Sequence, residues 1–177
     1  AGPGLFAPRA NPDRWFSLVA ARQSMHVARF YLDQIWQWYS SAGLADEHFL
    51  SQFAVDFCNR WWELQVAWFL RTAGCEISHA QAGPDFLCSK EGHTFYVEAV
   101  TCSLGNQGKE HSVKPHPKPA SGEFQTISVT LSEEQRRELL RFTSAIDSKT
   151  QKYWGDVKAG RIQTDIPYVI ALSPIHI

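Results

Sequence analysis

The chain has no apolar run of membrane-spanning length, so no helix is expected to cross a bilayer. Its first residues, AGPGLFAPR, lack the basic-then-apolar grammar of a secretory signal, which leads to a cytoplasmic expectation. An excess of charge of either sign is missing too: 17 Lys and Arg against 18 Asp and Glu leave a net charge of −1. Without a global basic field, any contact with nucleic acid has to come from a local patch. Only four cysteines occur, Cys58, Cys75, Cys88 and Cys102, with no CxxC pair and no zinc-finger spacing, so they read as buried free thiols. GxSxG, HExxH and GxxxxGK(S/T) are all absent, which leaves serine hydrolase, zincin and P-loop NTPase readings without support.

What is present is an ordinary globular composition, 44% apolar and 20% charged over 177 residues, enough for one well-buried core. Seven Trp and eleven Phe make that core densely aromatic. After a Pro- and Gly-rich lead-in, Trp15, Leu18, Val19, Phe30, Ile35, Trp36 and Tyr39 recur at helical spacing from Pro12-Asp13 to about Gly43. A second helix is expected over about Asp46–Thr72, where Leu50, Phe53, Phe57, Trp61, Leu64 and Trp68 step by three and four before the Ala73-Gly74 stop. Short strands follow at Cys75–Ser78, Asp85–Cys88 and Thr94–Thr101, the last two joined by the turn Lys90-Glu91-Gly92, so an antiparallel meander is expected. Period-two alternation puts Tyr96, Glu98, Val100 and Cys102 on one face and Phe95, Val97, Ala99 and Thr101 on the other.

Residues 103–125 are rich in Gly, Pro, Lys and His and read as a long loop. Lys109, Lys114 and Lys118 with His111 and His116 form the only local basic cluster there; a solvated linker is the default, and phosphate contact is the functional reading. Ser132 and Gln135 make a capping box, and a helix is expected from there to about Trp154. Leu139, Phe142, Ile146 and Tyr153 mark its inner stripe, and Lys149 falls on the same stripe, with Lys152 and Gln151 more to the side. Ile166–Leu172 then reads as a strand added after a crossover helix.

Three carboxylates stand out in this frame. Glu98 lies inside the apolar run Thr94–Val100, where an ionised side chain requires a positive or hydrogen-bonding partner. Asp85 follows Gly83-Pro84 at the mouth of a strand, so a turn delivers it to the same neighbourhood. Glu63 borders the apolar stripe of its helix, and on the helix alone it is a flank residue paired with Arg60. Two carboxylates converging at strand ends suggest a cation site. Lys149 either snorkels, with its ammonium at the rim, or reaches toward the carboxylates. His79 and His93 read as surface residues, and Cys102 as core.

A helix with Glu63, then Pro84-Asp85, then Val97-Glu98-Ala99-Val100, then a helix with Lys149 and a final strand resembles the PD-(D/E)XK nuclease superfamily over about residues 47–172. That resemblance implies an α/β fold: a restriction-endonuclease-like core, with a central mixed sheet flanked by helices over 46–177. An extra N-terminal helical segment, 1–45, would join it in one compact unit. It also implies Mg²⁺, with Mn²⁺ as an alternative, held by Asp85, Glu98, the Ala99 carbonyl and Glu63. The activity implied is metal-dependent phosphodiester hydrolysis, on DNA rather than RNA; Lys109, Lys114 and Lys118 of the basic loop, with Lys152, are the candidate nucleic-acid contacts. The family usually carries Lys two residues after the second acidic residue, where this chain has Val100. Lys149 is the first candidate to replace it and Lys152 the second. The alternative is a degenerate nuclease-fold module that binds nucleic acid or a protein partner without cutting; homodimerisation is left open.

Overall fold

The computed structural model describes residues 4–80, 83–102 and 133–173. Helix α1, Arg14–Ala21, starts at Asp13, whose carboxylate accepts the backbone N–H groups of Trp15 and Phe16. The chain then turns extended at Arg22, passes one short 3₁₀ turn, and enters α2, His26–Ser41. The single helix expected over about Asp46–Thr72 is instead two, α3 at Phe49–Val55 and α4 at Phe57–Thr72. The physical reason lies outside the segment. The Ala54 carbonyl, which a continuous helix would use internally, accepts the N–H of Asp13 at 2.6 Å, and Asp56 leaves helical geometry at the junction.

After Gly74, strands β1, Glu76–His79, β2, Phe86–Lys90, and β3, His93–Thr101, form the expected antiparallel meander with boundaries shifted by a residue or so. Glu91 and Gly92 both take positive φ, the twist that suits a two-residue hairpin between Lys90 and His93. Helix α5, Glu133–Lys158, crosses over to β4, Tyr168–Ser173, which pairs parallel to β3 at the sheet edge. The result is an α/β fold with a four-stranded mixed sheet in the order β1-β2-β3-β4.

Leu5, Phe16, Leu32, Ile35 and Tyr39 share one core with Phe53, Leu64, Phe86 and Val97, so the N-terminal helices are continuous with the rest of the hydrophobic interior. Trp62 Nε1 donates to the Ala171 carbonyl at 2.8 Å and pins α4 to β4. The alternation read from β3 holds. Val97 and Ala99 pack into the helical layer, whereas Glu98 meets α5 on the opposite face. Cys58, Cys88 and Cys102 are buried free thiols and Cys75 is half-buried; burial pushes Cys58 and Cys88 up to about 12. No helix among the described residues is long and apolar enough to cross a membrane.

Candidate functional site

Glu98 is 1% exposed in the middle of β3, and two ammonium groups of α5 meet its charge, with the Tyr168 hydroxyl of β4 interacting with it as well. Lys149 Nζ donates to Oε1 at 2.6 Å; Lys152 Nζ donates to Oε1 at 2.8 Å and Oε2 at 3.0 Å. Two ammonium groups on one desolvated carboxylate satisfy the demand that the sequence raised. Lys152 is therefore a full partner of Glu98, not a lateral residue. Three positions separate the two lysines, which puts them on neighbouring surface of one helix.

Asp85 reaches the same place by the turn before β2. Gly83 takes φ of +108°, Pro84 is buried, and Asp85 Oδ2 accepts the backbone N–H of Ala99 at 2.7 Å. Its Oδ1 has no partner among the described residues. Burial pushes the Asp85 carboxyl up to about 7, helped by the negative charges of Glu98 and Glu63; the Ala99 N–H and Lys152 oppose the shift.

Glu63 is buried on α4 with both oxygens engaged: Tyr39 donates its hydroxyl to Oε1 at 2.7 Å and Arg60 Nη1 donates to Oε2 at 2.7 Å. Burial raises its pKa while Arg60 and Tyr39 pull it down. Arg60 also bridges to Asp46 at 3.3 Å. The pairing with Arg60 is the one the helix alone suggested. The Tyr39 contact, 24 positions away, gave no local signal.

Asp85, Glu63 and Lys149 line one cleft of about 500 Å³, bounded by α3 and α4 on one side, the end of β3 below, and α5 on the other. Val100 is on its floor, and Arg60 and Arg141 are on its walls. Glu98 is not exposed to the cleft. The α5 wall, made by Arg141, Ser144, Ala145 and Ser148, is mostly polar, and the expected inner stripe holds in part: Phe142 and Tyr153 are half-buried, Tyr153 against Tyr168 of β4. Leu139 is 48% and Ile146 43% exposed, whereas Arg141, Ala145 and Lys149 are half-buried. Lys149 falls about midway between the two faces at roughly 100° per residue, which is why both readings included it.

Among the described residues, no three His, Cys, Asp or Glu side chains are grouped to hold a metal ion. Lys109, Lys114, Lys118 and Ser132 lie outside the described residues. His79 and His93 are exposed at strand ends, and Gln151 donates to Asp147 on the solvent side of α5. Arg141 was missed in the sequence because an arginine on a charged helix carries no distinguishing pattern. Comparisons with protein-family models, curated proteins and solved structures give no match.

Proposed function

We propose that the chain is a Mg²⁺-dependent nuclease of restriction-endonuclease-like architecture, hydrolysing phosphodiester bonds in DNA. The observation that carries this reading is the 2.6 Å contact between Lys149 and Glu98, beside an Asp85 that bonds the next residue of the strand. In this reading an ammonium from the crossover helix supplies the charge that Val100 cannot. The helix, three-strand meander, crossover helix and parallel strand supply the supporting order.

The donor set fits a hard divalent ion. Asp85 and Glu98 are oxygen donors tied through the Ala99 backbone, Asp85 Oδ1 has no partner among the described residues, and burial, with the negative charges of Glu98 and Glu63 added to it, pushes the Asp85 carboxyl up, a cost that a cation relieves. Bound there, Mg²⁺ or Mn²⁺ supplies Lewis-acid polarisation of a phosphoryl oxygen and a more acidic water. Asp85, which lines the cleft, would hold the ion with Glu98 behind it, and the Ala99 backbone keeps Asp85 in register. Lys149, on the cleft wall, stabilises negative charge developing on phosphate. Arg141, further along the same wall, meets the phosphate backbone. Glu63 holds Arg60 and the α4 wall in place with both oxygens engaged, and Glu98, engaged likewise by two lysines, would have to exchange a lysine contact for the ion.

The test is incubation of the purified chain with supercoiled, linear and single-stranded DNA in Mg²⁺ or Mn²⁺, against Asp85→Ala, Glu98→Ala and a chelator control. Cleavage lost in all three supports the reading. Absence of cleavage on every substrate, with salt-sensitive binding that survives both substitutions, replaces it with a non-cutting nucleic-acid-binding module.

A further inference from the structure

Both lysines contact Glu98, yet their surroundings differ. The Lys152 ammonium has three N–H donors and three acceptors around it: Glu98 Oε1, Glu98 Oε2 and the Gly83 carbonyl at 2.9 Å. No proton is left over for a substrate, and the residue does not line the cleft. Lys149 has one partner among the described residues, Glu98 Oε1, and lines the cleft.

The Gly83 end of the Lys152 bridge is itself seated against the end of α5. A Cβ on Gly83 would meet Ile162 Cγ2 at 3.2 Å and Asp156 Oδ2 at 3.6 Å. Asp156 is 4% exposed and is held by Arg161, which reaches its Oδ1 at 2.6 and 2.8 Å. One helix end therefore grips both the strand that carries Glu98 and the turn that carries Asp85.

We infer that the two lysines divide the work: Lys149 serves the cleft, whereas Lys152 is a positioning residue that bridges β3 to the Gly83–Pro84–Asp85 turn and sets the spacing of the two carboxylates. A surface ion pair of little consequence is the bland alternative for a side chain that is partly exposed. Against it stand the burial of Glu98, the use of both its oxygens, and the third bond to a backbone carbonyl. The inference rests on the nuclease reading for its functional meaning, but the bridge is a property of the metal-free chain.

The test uses the full chain with Lys149→Met, Lys152→Met, Lys149→Arg and Lys152→Arg. Amide hydrogen exchange without metal reads the bridge directly. Lys152→Met should speed exchange of the Ala99 and Asp85–Phe86 amides by about tenfold, and Lys149→Met by no more than about twofold. Lys152→Arg, with a fork that can span carboxylate and carbonyl, should restore most of the protection. Mn²⁺ affinity should fall by about tenfold in Lys152→Met and not fall in Lys149→Met, because losing a cation beside the carboxylates does not weaken cation binding. Turnover at saturating metal should show the reverse pattern. Equal exchange in the two Met variants, or unchanged Ala99 protection in Lys152→Met, overturns the inference. If Lys152→Met does not fold, the Arg pair decides: protection kept in Lys152→Arg with turnover lost only in Lys149→Arg supports the division, and equal behaviour overturns it. A wild-type chain that neither binds Mn²⁺ nor cuts DNA removes the nuclease reading while the exchange result still decides the bridge.

Discussion

The carboxylate of Asp85 accepts the backbone N–H of Ala99 at 2.7 Å, so a side chain from the turn before β2 completes the hydrogen bonding of the residue after Glu98. The two acidic residues are thereby tied through main chain as well as through Lys152. The positive partners of Glu98 come from another element, α5, and the consequences can be measured.

Asp85 should make stability depend on pH with a sign opposite to that of an ordinary salt-bridged carboxylate. Folded, it keeps its proton up to about 7, whereas the unfolded chain releases it near the ordinary 3.8. Between those values the folded state binds more protons, so this group's contribution falls as pH rises through the window. Asp85→Asn, which retains an acceptor for the Ala99 N–H, should therefore gain roughly 1–3 kcal/mol over wild type at pH 8 and little at pH 4. Urea unfolding at the two pH values checks this; an equal effect at both would remove the titration as its cause.

Glu98→Ala leaves two ammonium groups facing each other over an empty acceptor. Because Lys149 and Lys152 keep partial solvent access, the cost should be about 1–3 kcal/mol, below that of a wholly buried pair. Glu98→Ala combined with Lys149→Met should recover part of that loss. A double variant no more stable than the single would mean that lysine repulsion is not the source.

Lys149→Met should reduce cleavage by about 10²–10³-fold while the chain remains folded. Val100 shares the cleft floor, so Val100→Lys in that background should return part of the activity by offering an ammonium from the strand instead of the helix. Single-turnover rates on DNA at saturating Mg²⁺ decide it. Full activity in Lys149→Met would leave the proposed mechanism without its charge-stabilising group.

Tyr39→Phe removes the hydroxyl from Glu63 without changing the shape of a fully buried ring. It should cost about 1–3 kcal/mol, since Glu63 loses a charge-assisted bond in a buried position. Mn²⁺ affinity in Glu63→Gln should stay within about twofold of wild type if Glu63 only supports the wall. Isothermal titration of Mn²⁺ into both variants tests that role, and a large loss of affinity would return Glu63 to the ligand set.

Local chemistry decided much of this protein before folding. Period-two alternation placed Glu98 opposite the helical layer, Gly83-Pro84 announced the turn that delivers Asp85, and Glu91-Gly92 marked a hairpin, because each depends on neighbouring backbone alone. Long-range contacts decided the remainder. The α3–α4 break depends on Asp13, more than forty positions before Asp56, taking the Ala54 carbonyl, and no periodicity within 46–72 records that competition. Glu63 is held by Tyr39 from another helix, so spacing on α4 showed only Arg60. The rotation of α5 half-buries Arg141, Ala145 and Lys149, leaves Leu139 and Ile146 exposed, and brings two ammonium groups to the desolvated Glu98. Sequence thus determined that Glu98 needed a cation, and only the packed crossover helix decided that it would have two.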